Sequence, residues 1–401
     1  MLRHLFRLIW NRKRTNVLLL SEIFFSFIVL FVVGAVLITG AHDYLLAPGF
    51  RHEQVWRLNV AAGQGEKMPR PVLDDVLRQV RALPGVEELA LCSPNTPFRF
   101  INMNTDIQTQ KGDAKADLVE QHDADDHYGP ALGITLREGR WFKPSDDASS
   151  RRPVVITQDV REKLFGTDKP ALGQVLRMKM PAGPVPKDEF VVVGVADNVR
   201  WSSDFSDYTP TMWKRLVPFD TTHWETAAVL VRVSPGQGAA LQQKIVRTIA
   251  GVTRKWSTEV YPLSSDRHDK LKVVVAPLAA LAVVGLFLIV NVALGLFGVL
   301  WYNISQRRAE IGLRRALGAT STSIGWQFLG EMLVLTLMGV SIGLLLAAQF
   351  PLLGAFDVAA EVYVLAMLLA SGIIFVLTAV CAWHPSRLAA AIHPAAALRE
   401  E

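Results

Sequence analysis

Cysteine is nearly absent, with two in 401 residues. Cys92 falls in the expected soluble part and Cys381 in an apolar run. The two are not expected to meet, which argues against a disulfide framework or a thiolate metal site. The G-x-x-x-x-G-K-[ST] loop that cradles nucleotide phosphates is missing, so the chain is not expected to hydrolyse ATP. A nucleophile elbow and a zinc-protease helix are missing as well. Two acidic groups, Asp204, Asp207 and Asp220 with His223, and Asp123, Asp125 and Asp126 with His127, lack a recognised ligand spacing. They read as solvated loops, and no metal site is expected. Between His42 and Lys272 no apolar run is long enough to cross a bilayer.

Elsewhere such runs are frequent. Hydrophobic residues make up 50% of the chain and cluster at 17–41, 273–301, 324–350 and 362–383. Each run has the roughly 20 residues that a spanning helix needs. A four-span membrane protein follows, with one large polar domain, 42–272, between the first two spans. Cleavage of the first run as a signal peptide is the rival reading, since Thr39-Gly40-Ala41 resembles a cleavage site, but the run is long for that. The second run exceeds what the hydrocarbon requires, so its outer turns should project as a stalk.

Polar groups inside the runs are few, which argues against a channel for polar cargo. Glu22, Asn291 and Glu331 are the candidates for an intramembrane polar role. The bland reading leaves Glu22 within reach of the headgroups and makes Asn291 a hydrogen bond to a neighbouring helix. Gly339-Val-Ser-Ile-Gly343 is a small-residue face that admits another helix closely.

Charge sets the orientation. The segment from Gln306 to Thr320 carries Arg307, Arg308, Arg314 and Arg315 between two apolar runs, and short arginine-rich loops collect on the cytoplasmic side. The loop 351–361 holds Asp357 and Glu361 without Lys or Arg, as an outer loop should. Trp10, Trp301, Tyr302, Trp326 and Trp383 then all fall at the inner interface, and both termini are cytoplasmic. Residues 1–16 place Arg3, Arg7, Arg12, Lys13 and Arg14 around an apolar stripe of Leu2, Leu5, Phe6, Ile9 and Trp10. This is a basic amphipathic helix for the lipid surface. The net charge of +5 suits an anionic inner leaflet and not nucleic acid.

Within the polar domain the two ends read alike. A strand at 55–60, a helix at 71–83 with Val72, Val76, Leu77, Val80 and Leu83 on one side, and a strand at 86–91 form one β-α-β unit. A strand at 227–233, a helix at 236–249 and a strand at 257–262 form another. The stretch 93–220 between them is rich in short strands and turns and reads as an insertion.

The segment Gln306-Arg-Arg-Ala-Glu-Ile-Gly-Leu-Arg-Arg-Ala-Leu-Gly-Ala-Thr320 resembles the cytoplasmic loop of the MacB/FtsX-type (type VII) ABC-transporter permeases. Their pattern is close to E-R-R-x-E-I-G-x-x-R-A-L-G-A, matched by Arg307, Arg308, Glu310, Ile311, Gly312, Arg315, Ala316, Leu317, Gly318 and Ala319; Gln306 departs from it. An ordinary basic loop would satisfy charge alone, but not these positions in order. Gly133 to Phe142, Pro153 to Ile156, Leu164-Phe-Gly166, Leu172-Gly173 and Phe190 to Asp197 follow the order of signatures in the MacB-like core domain. In the tail, Pro385, Ala389, Pro394, Ala397 and Arg399 match the family's closing motif, with Ser386 in place of the usual alanine.

The resemblance implies a membrane α-helical fold of four transmembrane helices plus an α+β extracytoplasmic domain. That domain would be a split β-α-β/β-α-β, porter-like unit (42–92 and 221–272) with an inserted, mainly β, sabre-like subdomain (93–220). It also implies a coupling helix in 302–323, where these residues and Arg314 would contact a dimeric cytoplasmic ABC ATPase subunit. ATP and Mg would be held by that subunit, with no cofactor in this chain. The other implied partners are a second permease chain, identical or paralogous, and, in the MacB branch, a periplasmic adaptor and an outer-membrane duct. The location would be the bacterial inner membrane. Three functions compete: export of cargo from the periplasm, which the split domain with its large insertion favours; lipoprotein extraction or activation of a cell-wall hydrolase; and sensing for a cytoplasmic kinase.

Overall fold

The computed structural model describes residues 13–63, 65–167, 169–179, 189–216, 224–306, 311, 313–314, 316–317, 319–354 and 358–390. Residues 1–12 of the amphipathic stretch 1–16, Asp220, His223, Asp357 and residues 391–401 of the tail 384–401 lie outside them. The chain divides into two compact units, one of Met1–His42 with Val275–Glu401 and one of Asp43–Val274.

Helix α1 (Lys13–Leu45) opens the chain and ends in the second, globular unit. That unit continues through β1 (Val55–Ala61), α2 (Arg70–Arg81) and β2 (Val86–Cys92). A long middle follows: β3 (Asn104–Thr109), β4 (Lys115–Ala124), α3 (Tyr128–Leu132), β5 (Leu136–Gly139), β6 (Arg152–Thr157), α4 (Gln158–Phe165), β7 (Val175–Lys179), β8 (Glu189–Ala196) and β9 (Thr211–Arg215). It returns through β10 (Thr226–Val233), α5 (Ala239–Thr253) and β11 (Ser257–Pro262).

The strands at the two ends of the unit lie in the order β11-β1-β10-β2, every neighbouring pair antiparallel. Each β-α-β thus leaves a gap that a strand of the other fills. Strand alternation sorts the side chains. Trp56, Leu58 and Val60 of β1, Leu89 and Leu91 of β2, and Val229 and Val231 of β10 point into one core with Leu73, Val76 and Val80 of α2 and Leu241, Ile245 and Ile249 of α5. Val55, Ala90, Cys92, Ala228 and Leu230 face the opposite core. Burial on both faces explains why β10 reads as a continuous apolar run. Helix α2 starts at Arg70, with a proline in its first turn, and centres its buried stripe on Leu73, Val76 and Val80. The expected stripe began at Val72, which is only half-buried. A pair at Leu73 and Val76 is as helical a spacing as Val72 and Val76, and contact with the sheet chooses between them.

In the middle stretch the pairings close on themselves: β4 with β3, β3 with β7, β7 with β8, β8 with β6, β6 with β9, and β9 with β4. This ring of six strands encloses Ile107, Val119, Ile156, Leu176, Phe190 and Met212, and α4 adds Val160, Leu164 and Phe165. Closure removes free strand edges, which an isolated set of short strands would expose.

The helical unit is built from α1, α6 (Leu263–Gln306), α7 (Ser321–Ala347), the short α8 (Gln349–Leu352) and α9 (Ala360–Ala390). Among the described residues four stretches are long and apolar enough to cross a membrane: Leu19–Leu45, Leu263–Gln306, Thr322–Leu352 and Ala360–Trp383. Phe27, Phe31, Leu296, Met332, Leu335, Tyr363 and Ile374 are among the residues of its core.

Candidate functional site

Two places on α6 concentrate polar groups that apolar packing does not require: its first turns, within the globular unit, and the loop that follows its last turn.

In that loop Arg307, Arg308, Glu310, Gly312, Arg315 and Gly318 lie outside the described residues; Ile311, Arg314, Ala316, Leu317 and Ala319 do not. Ile311, Leu313, Arg314 and Ala316 are helical. The amide of Leu317 donates to Leu313 O and that of Ala319 to Arg314 O, which ends the turn. Thr320 then caps α7, its hydroxyl accepting from Ser323 N at 3.3 Å. Helical spacing splits this short element. Ile311 is 3% exposed and sits in the core of the helical unit, where it anchors the element. Leu313, Ala316 and Leu317 face outward, Leu317 at 81% exposure. An exposed leucine pair four residues apart beside an arginine is a surface suited to a partner's apolar groove.

Arg314 extends the element into the bundle. Its Nη1 donates to Gln327 Oε1 at 2.8 Å, and Gln327 Nε2 donates to Glu331 Oε1 at 3.2 Å. Glu331 is buried at 8% exposure. The intramembrane acid is therefore the inner end of a polar chain that begins in the basic loop. Glu22, half-buried, lies against Gly295 of α6, where a Cβ would collide with the carboxylate. Asn291 is exposed, and its Nδ2 donates to Phe287 O of its own helix at 2.8 Å. A carboxamide one turn from a carbonyl can satisfy itself locally.

At the other end, three charged residues of α6 are fastened to the globular unit. Arg57 of β1 is 2% exposed and makes two bonds to Asp266, Nε to Oδ2 at 2.8 Å and Nη2 to Oδ1 at 2.9 Å, while stacking 4.8 Å over Tyr261. Arg267 Nε donates to Asp204 Oδ2 at 2.7 Å. Lys270 Nζ donates to Arg99 O at 3.3 Å and lies 3.6 Å over the Phe100 ring. Sequence reasoning passed over these residues. The available signal was Asp266-Arg-His-Asp-Lys-Leu-Lys272, a charged cluster directly before an apolar run.

Behind them lies a buried polar group on β4. Glu120 and His122 are each 1% exposed, with His122 Nε2 3.8 Å from Glu120 Oε1 and Asn95 Nδ2 3.5 Å from the same oxygen. Burial pushes the Glu120 carboxyl up to about 7 and the His122 imidazole down to about 3.

Asp207 is exposed, as a solvated loop would have it, but four of the other acids have partners. Asp204 pairs with Arg267, Asp123 with Arg152 and Lys214, and Asp126 with Arg215, while Asp125 accepts from the amides of Leu91 and His127. Among the described residues, no three His, Cys, Asp or Glu side chains gather as metal ligands would.

Residues 25–248 match the MacB-like periplasmic core domain, and residues 282–394 match the FtsX-like permease C-terminal region. The chain is 30% identical over 237 residues to the macrolide export ATP-binding/permease protein MacB 1/2 of Paracoccus denitrificans, a match covering 57% of this chain and 33% of that protein. It is 28% identical over 219 residues to the macrolide export ATP-binding/permease protein MacB of Chromobacterium violaceum, covering 54% and 32%. The chain therefore spans about a third of the length of these curated relatives. Among solved structures it is similar to the periplasmic region of MacB from Actinobacillus actinomycetemcomitans, with a TM-score of 0.39 and 11% identity, over 54% of this chain and 92% of that one.

Proposed function

The chain belongs to the MacB/FtsX family of ABC transporter permeases, as a membrane protein with a periplasmic domain, and from that premise we propose that it transmits force rather than conducts solute. A separate cytoplasmic ATPase subunit, which would bind ATP and Mg, docks on the exposed face of Leu313, Ala316 and Leu317 beside the arginines of the loop. Its dimerisation draws two permease chains together, and the displacement reaches the periplasmic domain, where it drives export of cargo. In this reading the β11-β1-β10-β2 layer is the porter-like part of the domain, the six-strand ring is the sabre-like insertion, and both termini are cytoplasmic.

The observation that carries this is the length and attachment of α6. It is one helix of 44 residues, rooted by Asp266, Arg267 and Lys270 in the globular unit and leading at its last turn to the arginine-rich loop. At 1.5 Å per residue it measures about 66 Å, against roughly 30 Å of hydrocarbon. A rod of this length, fixed at one end, moves its far end when pushed.

Replacing Arg314 and Arg315 together by Glu is expected to leave membrane insertion intact. Stimulation of the ATPase subunit in reconstituted vesicles should fall to the level of the subunit alone. Undiminished stimulation together with an undiminished export phenotype would show that the docking face is elsewhere.

A further inference from the structure

Helices α1 and α6 are the two that leave the globular unit, and a single loop of that unit holds both. Arg200 is 1% exposed, yet among the described residues no carboxylate bonds its guanidinium. Its Nη1 donates to Asp43 O, in the last turn of α1, at 2.5 Å and to Leu46 O, one residue past its end, at 3.1 Å; Asp43 O also accepts from the amide of Leu46. Its Nε donates to Ser206 O at 2.6 Å and its Nη2 to Asp204 O at 2.5 Å, so the loop is folded around the same group. A fixed cation at a helix C-terminus is also favoured by the helix dipole. The amide of Arg200 donates to Pro48 O, and the Tyr44 and Phe205 rings stack with centroids 5.8 Å apart. Gly49 runs so close to Asn198 O that a Cβ would not fit.

Asp204 completes the link. Its carbonyl accepts from Arg200, while its carboxylate, 3% exposed, accepts from Arg267 Nε in the second turn of α6. Arg267 Nη1 lies 2.9 Å from His52 Nε2, and burial, with the Arg267 charge beside it, holds that imidazole below its ordinary pKa. From Asp43 O to Arg267 the path therefore crosses only buried or half-buried groups, in the sequence α1 carbonyl, Arg200, Asp204, Arg267.

We propose that Arg200 and Asp204 are positioning residues that brace the end of α1 to the start of α6, so that the two helices enter the periplasmic domain as one body. A loop needed only to fill space would not bury a guanidinium among carbonyls, because that charge is expensive to desolvate and only a fixed geometry compensates it. The proposal rests on the force-transmission reading for its purpose, but the brace is defined without the ATPase.

The test uses the full chain in lipid nanodiscs, without nucleotide or partner, in a Cys92→Ala, Cys381→Ala background. Nitroxides are attached after Leu45→Cys and Asp269→Cys, both at exposed positions. Electron–electron resonance is expected to give one narrow distance. Arg200→Lys keeps the charge but not the planar fork and should broaden it. Asp204→Asn and Arg267→Gln should each broaden it too, and the double variant no further than either alone, because both remove the same link. A lowered melting temperature with the narrow distance retained would mean that these residues only stabilise the domain, and would overturn the proposal. So would broadening by Asp204→Asn and Arg267→Gln that adds in the double variant. Since no ATPase is present, a failure here leaves the docking test of Arg314 and Arg315 standing, and the reverse holds as well.

Discussion

Glu120 and His122 are two neighbours on one strand whose charges burial opposes in contrary pH directions. The Glu120 carboxyl titrates near 7 in the folded domain against an ordinary 4.5, so the folded chain holds a proton that the unfolded chain releases. Its contribution is fully present below about 4.5 and is lost as pH rises to 7. His122 stays neutral down to about 3 against an ordinary 6.5, so its contribution is lost as pH falls below 6.5. Between those limits the two slopes cancel in part. Glu120→Gln removes the first, and the loss of domain stability between pH 5 and 8 should shrink by about 3 kcal/mol, at about 1.4 kcal/mol per unit of pKa difference. Pulse proteolysis of the full chain in nanodiscs at the two pH values measures this. An unaltered slope in the variant would mean that Glu120 is not the group that titrates.

Among elements, the contact of α7 with α1 depends on residues without side chains. A Cβ on Gly339 would lie 2.8 Å from Ile23 Cγ2, and one on Gly343 would strike the Phe27 ring. The two glycines thus form a shallow seat for Ile23 and Phe27, themselves one turn apart. Thr336 and Thr378, both buried, tie α7 to α9 through their hydroxyls at 3.0 Å. Without a hydrophobic drive between helices in lipid, close packing of this kind supplies the attraction. Gly343→Leu should destabilise the helical unit by about 1–3 kcal/mol or more, since overpacking forces the backbones apart. A denaturing-detergent titration of the purified protein reads the loss, with Gly343→Ala expected in between. A leucine variant as resistant as the parent would show that α1 and α7 do not meet here.

For the whole molecule, the continuity of α6 is what the transmission reading depends on. A Gly-Ser-Gly-Gly insertion between Lys272 and Val273 leaves the three anchors and the loop chemically intact but replaces a rigid rod by a flexible joint. The inserted chain is expected to reach the membrane and to stimulate its ATPase partner, while export drops to background. Full export through a flexible joint would remove α6 as the transmitting element.

Much of this was written in residue order. Apolar runs fixed the four candidate spans, since hydrocarbon thickness sets a length that composition alone can meet. Helical and alternating periodicity located the two β-α-β units, with the second closing strand at Ser257–Pro262. The arginine-rich motif pointed to the family through local order. What the sequence could not contain is whatever depends on partners distant along the chain. The closing of the middle strands into a ring joins β4 to β9 across the whole insertion. The stripe of α2 on Leu73, the glycine seats under Ile23 and Phe27, and the division of the short element before α7 into a buried Ile311 and an exposed Leu317 each depend on what packs opposite. Asp204 looked like one acid of a solvated loop, and only the fold places it between Arg200 and Arg267. Periodicity is a property of neighbours in the chain, whereas desolvated charge pairs and close contacts are properties of neighbours in space, and only the tertiary structure brings those together.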